Sequence, residues 1–599
     1  MICLYKKNDQ YYYSFSGDNF HKFVQVMNEN YIYFDKNEKA YTDKSRYKIK
    51  NIISELKSIE DFYVSEETII DLDSREFGEY ETVFKRRRLK EELFKSPPLG
   101  EYQKEDVKKM IQQNRMLNAN DTGIGKTYET IVGLNHFFDN NEIDKVFIIS
   151  VPESLYNWKK ELVEFGFFNE DEIEIIDKNK RSIEDFFNKK ILIVSYRTFL
   201  LCSDFYYFKK TKKKSSSYKT KTIDFSLFGE KRCIVLDESH LAKNLDSRTN
   251  KVIKLHKEYF EFRYCLTATP YPNNFTEIYA NLHFLDKGLV GDGKIDFDSY
   301  FGNLGNTYSD TTLDVDSINP EKVKEFTKTI SSFYIRRFKK DVMPNMPDQY
   351  IKKIYVEMSK EHEKVYDSII KYKLRKIIDD NGFLYTKEVY NNFPYLTLAC
   401  SDPIAIKNIE LGELNHWNPK YNNKFEIADS LLEKHNGEKI ILWSVHPATI
   451  KILSERYKKY NPFVIDGTTN TCGLSKEEFK EREKNEFRNN ADRNLAIFSP
   501  LCMGTSISIP ESTVSICFDR DYSNTVWTQL LGRNYRITSK KDVIVYVLIY
   551  DNSLEVIQDE ILDQKFNANK ILLSQESVSD DVWNSIFKKK AKLAIDKKV

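Results

Sequence analysis

Residues 117–131 read LNANDTGIGKTYETI: a short apolar lead-in, then Thr122, Gly123, Gly125, Lys126 and Thr127, then a helical pattern. A glycine turn of this kind aims its backbone N–H groups inward and, with the N-terminus of the next helix, makes a nest for phosphate oxygens. Lys126 is suited to neutralise the β/γ-phosphates, and the Thr127 hydroxyl to ligate Mg²⁺. The strict pattern has a glycine where this chain has Asn120, so the stretch alone could also be a glycine-rich helix start. A second signal favours the phosphate loop. Residues 233–240 read CIVLDESH, and the apolar run suits a strand buried on both faces of a parallel sheet. Asp237 and Glu238 then emerge at its carboxyl end, where open α/β sheets bind ligands. Asp237 would hold Mg²⁺, directly or through water, and Glu238 would polarise the attacking water. Alone, an Asp-Glu pair is an ordinary acidic turn. After a phosphate loop, it specifies a Mg²⁺-dependent ATPase.

These groups need a scaffold. From 97 to 285 the apolar runs KVFIISVP, ILIVSYRTF, CIVLDESH and YCLTATP alternate with amphipathic segments, the pattern of a doubly wound parallel sheet. A second α/β set spans 436–565 with KIILWSV, FVIDG, LAIFSP, VSICFDR and DVIVYVLIY. Between them, 286–435 reads as mainly helical. Residues 1–95 read as a small accessory α+β domain, and 566–599 as a basic tail. KKTKKKSSSYKTKT (209–222) reads as a mobile polar loop. The fold class expected is therefore α/β, with two tandem doubly wound lobes making a two-lobed motor.

Composition narrows the partners. Lys+Arg at 92 against Asp+Glu at 91 leaves a formal net charge of +1, so any nucleic-acid surface must be a local groove. The 8 cysteines are scattered without a CxxC pair, which argues for a reducing compartment and against a structural zinc site. No stretch approaches a membrane span or a signal peptide, so a cytoplasmic location is expected. Heavy use of Lys, Asn, Ile, Tyr and Phe suggests an AT-rich genome, viral or mobile-element among the sources.

The motifs form a series that resembles the Swi/Snf-type ATPases of helicase superfamily 2 over residues 97–560. PLGEYQ puts Gln103 where that family reads adenine. VPESLYNWKKE (151–161), VSYRTF (194–199) and DESHLAKN (237–244) follow in family order. LTATPYPNNFTEIYANLHFLD (266–286) is especially diagnostic, and IRRFKKDV (335–342) with LTLACSDP resembles the inter-lobe stretch. In the second lobe ILWSVHP, VIDGTT and SPLCMGTSISI fill the expected slots. FDRDYSNTVWTQLLGRNYRI (518–537) places Asp519, Tyr522, Gln529, Arg533 and Arg536 at family spacing. The chain departs from the pattern at NDTG, where the family prefers Asp-Glu-Met-Gly. Ser506 replaces an expected glycine, and Ala399 an expected arginine.

The resemblance implies two RecA-like lobes and a catalytic set of Lys126, Glu238, Gln529, Arg533 and Arg536. Arg533 and Arg536, expected on one helix face, would reach across the cleft as arginine fingers. Thr267 and Thr269 would relay phosphate state to the nucleic-acid face, or be ordinary strand-end hydroxyls. Ser154, Asn157, Tyr196, Ser444 and Thr505 are candidates for phosphate contacts that position DNA without reading its sequence. Trp158 is weighed as a base-stacking residue against a core residue. The expected function is a monomeric ATP- and Mg²⁺-dependent translocase on double-stranded DNA, with the N-terminal domain or C-terminal tail open to a protein partner. The alternatives are an RNA-dependent helicase, a motor subunit of a restriction or defence complex, and a non-catalytic nucleotide-binding scaffold.

Overall fold

The structure is a computed structural model that describes residues 1–68, 100–301, 320–374 and 395–563, apart from 8–9, 30–31, 37, 44–45, 66–67, 167, 177–187, 202–205, 214–215, 224–227, 272–276, 292, 396, 404–405, 407–413, 415–416, 467–475, 501–508, 522, 537–538, 557 and 561. At the N-terminus, β1 (Ile2–Lys7), β2 (Gln10–Phe15), β3 (Tyr33–Asp35), β4 (Ala40–Asp43) and β5 (Phe62–Val64) form one sheet in the order β3-β4-β2-β1-β5. Strand residues alternate between faces, so Ile2 and Leu4, with Tyr11 and Tyr13, pack with Phe23 and Met27 of the helix Phe20–Glu29 and with Ile49, Ile52 and Leu56 of the helix Arg46–Ile59. This is an α+β unit with helices on one face.

The first lobe contains β6 (Arg115–Asn118), β7 (Lys145–Ser150), β8 (Ile173–Ile176) and β9 (Ile191–Ser195). An antiparallel hairpin follows, β10 (Tyr206–Lys213) and β11 (Ser216–Ile223). Then come β12 (Arg232–Asp237), β13 (Phe262–Leu266) and β14 (Tyr334–Ile335). Apart from the hairpin, these strands make a parallel sheet in the order β14-β6-β13-β12-β7-β9-β8. Every residue of β7 is buried. Its period of two divides them, with Phe147 and Ile149 in one apolar cluster and Val146 and Ile148 in the other. Helices on both faces explain why these strands are largely apolar rather than alternating.

The second lobe repeats the plan with β15 (Gln349–Val356), β16 (Ile440–Trp443), β17 (Phe463–Ile465), β18 (Leu495–Phe498), β19 (Val514–Cys517) and β20 (Val543–Tyr550). They are parallel, in the order β15-β20-β19-β16-β18-β17. Ile441 and Trp443 face one core, Ile440 and Leu442 the other.

Two expectations are corrected. The basic run 209–222 lies in a hairpin rather than an irregular loop, because its register pairs Lys210 with Lys219 and Lys213 with Ser216. The stretch 286–435 is not only helical, since it supplies β14 to the edge of the first sheet and β15 to the edge of the second. The chain thus passes from one lobe to the other between Ile335 and Gln349.

Candidate functional site

In the first sheet β6, β13 and β12 are neighbours, so the loops after their carboxyl ends converge. The loop after β6 turns on Gly123 at φ +75° and Gly125 at φ +105°, a region that side chains rarely adopt. Close approach adds a second demand. A Cβ on Gly125 would lie 2.2 Å from Gln103 Nε2, and one on Gly123 would lie 2.9 Å from Arg536 Cδ. The helix Lys126–Asp139 starts at once, aiming its first N–H groups into the loop.

Lys126 Nζ donates to the carbonyls of Asn120 (2.7 Å) and Asp121 (3.1 Å). Burial holds its ammonium below the usual lysine range, opposed by Glu238 and Asp121. Asn120, the departure from the strict pattern, has its own role. Its Nδ2 donates to Asp106 Oδ2 (2.9 Å) and Glu129 Oε2 (3.2 Å), and Asn118 Nδ2 also reaches Glu129 Oε2 (2.7 Å). Gln103 braces the loop, donating from Nε2 to the Ile124 carbonyl (3.2 Å) and accepting from the Gly100 N–H (3.0 Å). Beside it opens a cavity of about 600 Å³ lined by Gly100, Tyr102, Gln103, Arg336, Arg337 and Met343.

After β12, Glu238 sits at φ +50° and ψ +48°. A left-handed non-glycine residue costs on the order of 1–3 kcal/mol and concentrates at functional sites. Asp237 Oδ2 accepts from Ser150 Oγ (2.6 Å) and Trp158 Nε1 (2.9 Å), while Oδ1 accepts from the Glu238 N–H (3.0 Å). Trp158 is buried, so it is a core residue that holds Asp237 and not a base-stacking surface. Burial and the adjacent Glu238 raise the Asp237 carboxyl, against Ser150, Trp158 and Lys126. Burial also pushes Glu238 up, but the His240 hydrogen bond and the charges of His240, Lys126 and Arg533 outweigh it, leaving the carboxyl below its ordinary value. Glu238 is therefore ionised at neutral pH, as a proton acceptor must be.

His240 Nδ1 lies 3.3 Å from Glu238 Oε2 and 3.0 Å from Thr267 Oγ1. Thr267 Oγ1 accepts the Thr269 N–H (3.1 Å), and Thr269 Oγ1 meets Thr525 Oγ1 of the second lobe at 3.3 Å. The two threonines thus join a continuous polar path from Glu238 to the other lobe. His240 was missed as a link because sequence shows it only as part of a motif.

From the second lobe, Gln529 Nε2 donates to Glu238 Oε1 (3.3 Å). The helix Asn524–Leu531 ends at Gly532, so Arg533 and Arg536 lie in the turn beyond it and not on one helix face as expected. Gly532 permits the contact: a Cβ there would stand 2.5 Å from Thr122 Oγ1. Burial and the neighbouring Arg536 push the Arg533 guanidinium down, with Glu238 opposing. Arg536 is pushed down by burial, opposed by Glu161, and its Nε is buried without a hydrogen-bond partner. The sequence reading also missed three cations of the inter-lobe segment. Arg336 donates to the carbonyls of Ala119 and Ala268, Arg337 Nε donates to Asp106 Oδ1 at 2.8 Å, and Lys339 Nζ donates to the Tyr535 carbonyl at 2.9 Å. The signal was present in the basic run of IRRFKKDV.

The residues offered for nucleic-acid contact are placed differently from expectation. Ser154 is buried at the start of the helix Leu155–Glu164. Asn157 Nδ2 donates to Glu161 Oε1 (2.6 Å). The buried Tyr196 donates its hydroxyl to the Asp237 carbonyl (2.9 Å), and the buried Ser444 donates to Asp519 Oδ2 (2.7 Å). The side chains of Tyr196 and Ser444 thus take inward hydrogen bonds in this structure. Thr505, Ser506 and Tyr522 lie outside the described residues.

The site's chemistry fits a magnesium nucleotide. Two buried guanidinium nitrogens, Arg336 Nε and Arg536 Nε, have no hydrogen-bond partner, and the Lys126 ammonium interacts with the carboxyls of both Glu238 and Asp237. Among the described residues no group of three or more His, Cys, Asp and Glu could hold a metal. A cation here would take ligands from phosphate and water beside Thr127 and Asp237, as Mg²⁺ does.

Two parallel α/β lobes that close over a phosphate loop, an acidic pair and two arginines define a P-loop motor ATPase of the helicase type. The chain belongs to the SNF2-related family: the SNF2-related domain matches residues 102–403 and the helicase conserved C-terminal domain matches 423–538. It is similar to the ISWI chromatin-remodeling complex ATPase ISW2 of Saccharomyces cerevisiae, 24% identical over 503 residues, which take in 80% of this chain and 41% of that protein. It is also similar to the SWI/SNF-related matrix-associated actin-dependent regulator of chromatin subfamily A member 1 of Homo sapiens, 25% identical over 518 residues, 82% of this chain and 45% of the relative. The chain spans less than half the length of these relatives. The solved Sulfolobus solfataricus SWI2/SNF2 ATPase core in complex with dsDNA is 22% identical, covering 86% of this chain and 100% of its own, with a TM-score of 0.36.

Proposed function

We propose that the chain is an ATP- and Mg²⁺-dependent motor on double-stranded DNA, tracking the duplex and remodelling it or the proteins bound to it. The observation that carries this reading is the meeting of Glu238 with Gln529 across the lobes, at 3.3 Å. That contact ties hydrolysis to lobe spacing, and a change of spacing is how such a fold performs movement. Family membership and the relatives' names support DNA as the track.

Thr122, Gly123, Gly125 and Lys126 cradle the phosphates, and Gln103 and the cavity beside it take the base. Thr127 with Asp237 would hold Mg²⁺, whose chemistry there would be to offset phosphate charge. Glu238 accepts a proton from the attacking water while Gln529 orients it. Arg533 and Arg536 offset charge on the departing γ-phosphate. Thr267 and Thr269 carry that state toward Thr525. Sequence-independent contacts, with Ser154, Asn157, Tyr196, Ser444 and Thr505 as candidates, bind the duplex. Buried free thiols at Cys233, Cys265, Cys400 and Cys517 support a reducing, cytoplasmic setting, and composition supports an AT-rich source, viral ones included. No helix among the described residues is long and apolar enough to cross a membrane.

Steady-state ATPase with no nucleic acid, duplex DNA, single-stranded DNA and RNA tests the reading, with Lys126→Ala as control. Duplex DNA should stimulate most, and the stimulation should fade with salt as phosphate contacts are screened. Preferential stimulation by RNA would replace the reading with an RNA-dependent helicase.

A further inference from the structure

Lys339 lies on the segment that leaves the first lobe after β14 and enters the second at β15, in the short helix Lys339–Val342. It is only 5% exposed. Its Nζ donates to two acceptors in different lobes, Thr122 Oγ1 of the phosphate loop (3.2 Å) and the Tyr535 carbonyl of the arginine-bearing turn (2.9 Å). The ammonium also sits 5.0 Å over the Tyr535 ring. Gly532 closes the same spot, since a Cβ there would be 2.5 Å from the Thr122 hydroxyl.

We infer that Thr122, Lys339 and the Tyr535 carbonyl form a latch that couples the phosphate loop to the turn carrying Arg533 and Arg536. Three features support it. A buried ammonium that loses one of two acceptors is left unsatisfied, so opening the lobes carries a penalty localised on this residue. Lys126, Arg336 and Arg536 crowd Lys339 with like charge, while Asp121 opposes them, so the two acceptors hold the ammonium where its cationic neighbours disfavour it. Finally, Thr122 stands where the family pattern has Met, and only the hydroxyl is a good acceptor for an ammonium. Lys339 acts here as a positioning residue.

The inference rests on the motor reading only for its effect on turnover, so the test has two arms. Hydrogen exchange on the full chain without nucleotide compares peptides covering 117–125 and 531–536. Lys339→Gln and Thr122→Val should each deprotect both peptides together, the double variant should do no more than either single, and Thr122→Ser should restore joint protection. In the duplex-stimulated ATPase Lys339→Gln should lose about tenfold in kcat, the size of a typical coupling between sites, with KM for ATP within about twofold. Unchanged exchange in Lys339→Gln, deprotection of one peptide alone, or additive effects in the double variant would overturn the latch. If Lys339→Gln fails to fold, Thr122→Val decides by the same criteria. A wild-type chain with joint protection but no duplex stimulation would sink the motor reading and leave the latch standing.

Discussion

Asp237 has more support than its motif implies. Ser150, Trp158 and the Glu238 N–H together fix both of its oxygens, and the Tyr196 hydroxyl fixes its carbonyl. A carboxylate held this way cannot turn to follow a proton, which leaves the acid–base work to Glu238. Glu238→Gln should therefore bind ATP near normally and abolish turnover, measured by nucleotide binding and single-turnover hydrolysis; near-wild-type turnover would remove the base assignment. Glu129, behind the loop, is the opposite case. Burial first, then Asp106, pushes its carboxyl up to about 8 from an ordinary 4.5. Below pH 4.5 folded and unfolded chains are both protonated there. As pH rises toward 8 only the unfolded chain gives up the proton, so wild type loses stability across that window. Glu129→Gln escapes the loss and should gain about 1 kcal/mol or more relative to wild type between pH 5 and 8 in urea denaturation. A pH-independent difference would show that Glu129 is ionised in the folded chain.

At the scale of elements, the turn after the helix Asn524–Leu531 matters more than the helix. Gly532 ends the helix and lets the backbone approach the phosphate loop, so Arg533 and Arg536 are delivered by a turn. Arg536→Ala should lose on the order of 10³ in kcat, as removal of an arginine finger does, with modest change in ATP affinity by titration. A barely altered rate would move the finger role to Arg533. The central strands were legible in sequence because strands buried on both faces are largely apolar: KVFIIS, ILIVS and VIVYVLIY could be nothing else in that order. Edge elements were not. β15 (QYIKKIYV) is half exposed and carries two lysines, and β14 has only the length of a dipeptide. The helix over 533–536 was wrongly expected because an arginine spacing of three suits a helix and says nothing of the glycine that stops it. In the site, the grouping of Lys126, Asp237 and Glu238 was legible because phosphate chemistry restricts residue type and spacing. Trp158, His240, Arg336 and Lys339 were not, because their roles depend on partners far away in sequence.

Across the whole molecule, polar groups from both lobes meet in a single cleft. Glu238, His240, Thr267, Thr269 and Thr525 form a path through it, and Lys339 bridges its margin. Neither lobe alone holds a complete set: the first has the loop and the acidic pair, the second the glutamine and the arginines. The proposed hydrolysis step therefore needs both lobes in contact. In the proposed function, a change in that contact moves duplex DNA. The most direct measurement is displacement of a third strand from a triplex by the full chain with Mg-ATP. Wild type should displace it while Glu238→Gln and ATP-free wild type do not. Duplex-stimulated hydrolysis by wild type without any displacement would contradict the account, because closure would then be consuming ATP without movement along the duplex.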